Sequence, residues 1–182
     1  GADGPVHALL LSGGVLYAGG AFGTLAGTAR TRLGALDPST GAAATWAPTA
    51  NDTVKLVGIF SGVFYIGGDF TQVNATTRNH VAALNTAGVL TTWNPNADAA
   101  VRAVYRSGSN IALGGDFLNV GGSSQPHVAV VNSTTGAASP SVIAADGPVY
   151  AFEADASRLF VGGAFTSIGG ASRTGLAAFN LT

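Results

Sequence analysis

Tyr65–Asn74 reads YIGGDFTQVN, and the fold turns on what its Gly-Gly-Asp-Phe centre is for. Two glycines, a carboxylate and an aromatic ring suit a nucleotide-binding turn, a catalytic acid, or a structural signature. The surrounding sequence decides among them. GGAF starts at Gly19, GGDF at Gly67 and Gly114, and GGAF again at Gly162, at spacings of 48, 47 and 48 residues. Thirteen residues ahead of each first glycine stands Val6, Val54, Val101 or Val149. Fifteen residues beyond each phenylalanine stands Asp37, Asn85, Asn132 or Asn180. Four segments in this register are internal repeats, approximately 1–50, 51–97, 98–144 and 145–182.

One repeat is legible as strands and turns. In the first, VHALLL (6–11) leads through Gly13–Gly14 into VLYAGGAF (15–22). A loop carrying Arg30 follows, then RLGALD (32–37), the turn PSTG (38–41) and AAATWAP (42–48). Short apolar runs broken by Gly, Pro, Ser and Thr predict four antiparallel strands per repeat, and no helical period competes. Four-stranded units of this length repeated along a chain predict an all-β protein of β-propeller class. The single domain spans 1–182, with repeats of about 47 residues and the last one lacking its outer strand. Two expectations follow from that last repeat: the chain is a segment of a longer protein, or a neighbouring copy supplies the missing strand by strand addition.

Composition narrows the function classes. Charged residues make up 9% of the chain, against about 25% in ordinary soluble domains. The formal charge is −1, and the eight basic residues are scattered, so the basic stripe of a nucleic-acid binder is missing. Lys55 is the sole lysine and Glu153 the sole glutamate, a composition poor in helix formers. No apolar run approaches the ~18 residues of a membrane-spanning helix. With no cysteine, neither a disulfide nor a thiolate metal site can form. Sequons at Asn51, Asn74, Asn132 and Asn180 are candidate glycosylation sites and point to an exported, extracellular or cell-surface chain.

The pattern from VYAFEADASRLFVGGAFTSIGGASRTGLAAFN (149–180), shared across nearly the whole chain, resembles the bacterial delta-60 type of β-propeller repeat. That resemblance implies a propeller fold, in proteins that are mostly exported or surface-bound, and no particular activity. ALDPSTGAAATW (35–46) resembles the tryptophan-docking repeats of quinoprotein dehydrogenases, with a Gly41-to-Trp46 gap of five residues. The central GGDF is similar to a tetrapeptide in the active sites of cyclases that make cyclic dinucleotides. Yet the residue after Gly-Gly is Ala21, Asp69, Asp116 or Ala164. A register that accepts alanine is structural, and the four phenylalanines suit a core or inter-blade contact.

Other repeated positions carry candidate chemistry. Arg30, Arg78 and Arg173 share one register, with Gln125 in the third repeat. They are expected to hydrogen bond to loop carbonyls, or, as the rival reading, to bind anionic sugars. Trp46 and Trp93 share an outer-strand position whose third-repeat counterpart falls near Ser141–Val142. They are expected to pack against adjacent blades, or to stack on a sugar ring. His80 and His127 align with Arg32 and Gly175, and with His7 elsewhere they do not assemble a zinc set. Asp3, Asp52, Asp98 and Asp146, just upstream of the valines, are expected to accept turn hydrogen bonds. No catalytic, cofactor or metal residues are assigned. The expected function is a non-enzymatic structural or interaction module that associates with further copies or repeats. A carbohydrate-binding propeller and a fragment of a propeller enzyme, such as a glycosidase or lyase, are the alternatives.

Overall fold

Paired turn residues fold the first hairpin of the first three repeats. Gly13–Gly14 and Ser61–Gly62 all take positive φ, the geometry that matches a tight two-residue turn to the twist of its strands. Gly108 does the same at the third hairpin. In the fourth, Asp155 accepts the Ser157 and Arg158 amides at 2.8 Å and rounds a longer turn. The structure, a computed structural model, describes residues 1–140 and 143–180, and among them it contains strands and no helix.

The chain divides into two compact units, Gly1–Thr92 and Trp93–Thr182. In the first, one antiparallel sheet joins Val6–Ser12, Val15–Gly20 and Leu33–Leu36, and a second joins Val54–Phe60, Val63–Gly68 and Val81–Leu84. In the second unit the sheets are Val101–Ser107, Asn110–Gly115, Val128–Asn132 and Ala138–Ser139, then Val149–Ala154, Arg158–Gly163 and Leu176–Asn180. Each is a meander with the Gly-Gly strand in the middle. The expected fourth strand is weak. It is one bridge in the first repeat (Leu36 to Ala43), one in the second (Leu84 to Leu90), and two residues in the third. Prolines and small polar residues beyond the bridge leave little to pair.

The loop between second and third strands, expected to be irregular, is a miniature hairpin. Thr24–Leu25 pairs with Thr28–Ala29, and equivalent two-residue pairs recur at Gln72–Val73, Asn119–Val120 and Ser167–Ile168. Its apolar member, Leu25, Val73, Val120 or Ile168, is buried and clasps the chain entering the repeat through a bridge to Ala2, Ala50, Ala97 or Ala145.

The two glycines of the signature have different jobs. A methyl on the second glycine would overlap a carbonyl oxygen of its own repeat: Pro5 at Gly20, Thr53 at Gly68, Ala100 at Gly115, Pro148 at Gly163. That carbonyl accepts the amide of the next residue, Ala21, Asp69, Asp116 or Ala164, at 2.8–2.9 Å. Here the register of the first two strands slips by one residue, between Val6 and Ala8 and at the three matching places. It is a β-bulge, and only a residue without a side chain lets the two backbones approach this closely. The first glycine serves packing between repeats. A methyl at Gly19 would lie 2.7 Å from Val54 Cγ1 and 2.9 Å from Val57 Cγ2, and one at Gly114 would lie 2.6 Å from Val149 Cγ1 and 3.0 Å from the Phe152 ring. The phenylalanine that ends the signature is fully buried in every repeat, and Phe22 packs with Ala18 and Leu25 of its own repeat.

Candidate functional site

Because the bulge inserts a residue after each signature valine, it re-aims one side chain per repeat: His7, Lys55, Arg102 and Tyr150. Lys55 Nζ reaches Asp69 at 2.6 Å, and Arg102 grips both oxygens of Asp116 at 2.7–2.9 Å. The repeats with His7 and Tyr150 at this place have Ala21 and Ala164 opposite. The aspartate therefore appears only where a lysine or arginine stands opposite, so the acid of GGDF is the partner of a basic residue. The Arg102 guanidinium also lies 5.3 Å from the centre of the Tyr150 ring. These pairs are a third exposed, and each acid is neutralised by the base beside it.

Arg30, Arg78 and Gln125 bind the outer segment of their own repeat. Arg30 Nη2 donates to Ala44 O at 2.7 Å, Arg78 Nη2 to Thr91 O at 2.8 Å, and Gln125 Nε2 to Ser139 O at 2.9 Å. These bonds do the work that a longer strand ladder would do. Arg173, at the same register, is exposed. Trp46 and Trp93 are buried, at 6% and 3% exposure, so neither offers a ring face on which a sugar could stack. Trp46 sits among Tyr17 and Phe64, with ring centres 5.1 and 5.2 Å away, and Trp93 donates Nε1–H to Asn132 O at 2.9 Å. The third-repeat counterpart near Ser141–Val142 lies outside the described residues.

The turn-capping carboxylates form a consistent set with one correction. Asp3 accepts the amides of Gly23 and Thr24, Asp98 those of Leu118 and Asn119, and Asp146 those of Thr166 and Ser167, all at 2.8–3.0 Å. In the second repeat the cap is Asn51, whose Oδ1 takes the Thr71 and Gln72 amides at 2.9 Å, while Asp52 bonds only its neighbour Thr53. The sequence carries the signal: the cap stands three residues ahead of the valine in all four repeats. The amides of Thr24 and Gly23 lower the Asp3 carboxyl below its ordinary range. The Thr166 hydroxyl and the Ser167 and Thr166 amides bring Asp146 down to about 2. Burial pushes Asp98 up, but bonds from Asn119 and Leu118 outweigh it and the net shift is downward.

His80 and His127 occupy a position of left-handed backbone, φ 65° and 61°, shared with Arg32 at 68° and Gly175 at 72°. Their Nδ1 atoms lie 3.1 Å from the carbonyls of Gly68 and Gly115. Arg32 reaches Ala21 O at 2.8 Å. Each side chain thus ties the third strand to the signature turn of its own repeat. Among the described residues no three metal-ligating side chains come together.

Of the sequon asparagines, Asn51, Asn74 and Asn180 are exposed. Asn74 holds a left-handed turn, its side chain accepting the Thr49 amide and donating to Gly88 O. Asn132 caps the turn after the third strand by accepting the Thr134 and Thr135 amides. A cleft of about 330 Å³ in the first unit is lined by Thr31, Thr49, Ala50, Asn51, Gln72 and Ala75, with none of the candidate arginines or tryptophans in its wall. No helix among the described residues is long and apolar enough to cross a membrane.

No family model matches the chain, and no curated protein matches it. Solved structures do. The chain is similar to the computationally designed protein Ika4, with a TM-score of 0.65 and 15% identity over 100% of this chain and 94% of that one. It is also similar to the designed protein Ika8, with a TM-score of 0.55 and 15% identity over 93% of this chain and 47% of that one, so it spans about half of Ika8. At that identity the likeness is one of fold.

Proposed function

We propose that this chain is a non-enzymatic structural and interaction module of β-propeller type, each repeat a blade, that works by associating with further copies or further repeats. The reading places it in an exported or cell-surface protein of the delta-60 repeat kind, to which its sequons and its low charge are suited. One observation carries it. Val54, Val101 and Val149 are 0% exposed, whereas Val6, at the same place in the first repeat, is 41% exposed, with Leu9 and Leu11 beside it at 63% and 65%. Apolar surface that the repeat pattern is built to bury is left uncovered, and such patches mark association sites. By contrast, the recurring Arg, His and Asp positions are largely occupied with bonds inside their own repeats, which supports a scaffold over a ligand site.

Light scattering coupled to size exclusion tests this across a wide concentration range. Mass that rises with concentration, and particles larger than one chain in electron micrographs, are the expected result. A single-chain mass at every concentration overturns it.

A further inference from the structure

The repeats contain their own template for what covers the exposed strand. Within the first unit, Val54 and Val57 of the second repeat straddle Gly19 of the first. Within the second unit, Val149 and Phe152 of the fourth repeat straddle Gly114 of the third. The knob is a pair of apolar residues three apart on a first strand. The slot is the first glycine of a signature, flanked by the residue paired with it on the third strand. Those flanking residues, Leu33 and Val128, are 0% and 3% exposed.

Elsewhere among the described residues stand a knob and a slot that nothing fills. The knob is Val6 and Leu9. The slot is Gly162, where an added methyl would meet nothing nearer than Ala151 Cβ of its own sheet at 3.9 Å. Its flanking residue, Leu176, is 67% exposed. Large apolar side chains at both places face water, while their counterparts at the two filled junctions are buried, Phe152 in part.

Resting on the association reading above, we infer that a second copy of this chain is the partner, with Val6 and Leu9 of one copy seated astride Gly162 of the other and covering its Leu176. Every copy carries both halves of the junction, so the partner needs no surface that this chain does not already show. The match to about half of the longer designed chain Ika8 indicates that a fold of this kind fits inside a protein of about twice this length. Because knob and slot are different surfaces, the contact is heterologous: each copy uses its knob on one neighbour and its slot on another, or both on the same one.

Two single-face variants test the junction. Val6→Asp combined with Leu9→Asp charges the knob. Gly162→Val fills the slot, and the open space there lets the protomer keep its fold, which circular dichroism checks. Each variant alone is expected to dissociate at least about 100-fold more readily than the parent, the effect of losing two buried aliphatic contacts. Mixed together they should restore a one-to-one complex, because one retains the slot and the other the knob. A parent that associates while both variants associate equally well overturns this junction and leaves self-association standing. A parent that stays single overturns both.

A cysteine pair identifies the partner. At the Gly19 junction the added carbon lies 3.3 Å from Val54 Cβ, close to the ~3.5–4.5 Å that disulfides span. The parent has no cysteine to interfere. Oxidising a chain with Val6→Cys and Gly162→Cys should therefore give covalent multiples of the chain mass. A bond closed within one chain, or no bond at all, overturns the assignment to a second copy.

Discussion

The two units join their repeats through the same glycine contact and fill the space around it oppositely. In the first unit a large Tyr17 stands two residues before Gly19 and meets Phe64 across the junction at 4.6 Å, while the knob residue Val57 is small. In the second, the place of Tyr17 is taken by Ala112, and the knob residue is the larger Phe152. Bulk has moved from one side of the seam to the other. What the repeats hold constant is the backbone approach at glycine, and what they vary is which strand contributes volume, as a core that tolerates volume-conserving exchange would.

The largest break in this comparison comes from the glycines. Gly19→Val and Gly114→Val each insert atoms within contact distance of a buried side chain, and each should lower stability by about 3 kcal/mol or more in urea unfolding. Next is the exchange of bulk. Tyr17→Ala should cost about 2–4 kcal/mol by emptying the space beside Phe64 and Trp46. Adding Val57→Phe, which copies the second unit's arrangement, should recover part of the loss. No recovery would mean that the two seams are not interchangeable.

The tryptophans sharpen the contrast at a smaller scale. Both are buried, but the Nε1 of Trp93 is bonded and that of Trp46 has no partner. The turn after the third strand explains it. Asn85 is followed by glycine at 88, one residue sooner than Asn132 is followed by glycine at 136, which is also why one repeat spacing is 47. In the shorter turn Gly88 lies where a methyl would be 3.2 Å from Trp46 Nε1. Trp93→Phe should therefore cost about 1 kcal/mol more than Trp46→Phe in the same unfolding assay.

The smallest effect is one of acidity. Asp146 has a folded pKa of about 2 against an ordinary 3.8, so its contribution is complete above the ordinary value and is lost as pH falls through about 2. Asp146→Asn, which imitates the neutral cap Asn51, lacks the charge-dependent contribution and should be less stable than the parent near neutrality. It should lose less stability than the parent in an acid titration between about pH 4 and 2.

Much of this was readable in the sequence because the repeat aligns four examples of each position. The strand pairs, the buried phenylalanines, and the carbonyl-binding Arg30 and Arg78 follow from register. Positions one residue off the register did not. The bulge has no composition of its own, since it is created by two backbones meeting, and without it the pairing of Lys55 with Asp69 is invisible. Asp52 matches the other caps in residue type but stands one place off their register, and Asn51, in register, holds the turn. Two-residue strands such as Thr76–Thr77 carry too little alternation to register as strands. Whether Trp46 stacks on a ligand or packs inside depends on Tyr17 and Phe64, which are distant in sequence and meet only in the fold.

The bulge clamp also bears on how the chain reaches its structure. It closes within one repeat, between residues 5 and 21, whereas the knob at Val54 must wait for the next repeat to be made. Local closure is fast, and a repeat array can propagate from any segment already formed. A nascent chain can thus complete each hairpin as it leaves the ribosome and, within a unit, dock the second repeat on the first, which makes synthesis order and assembly order the same there.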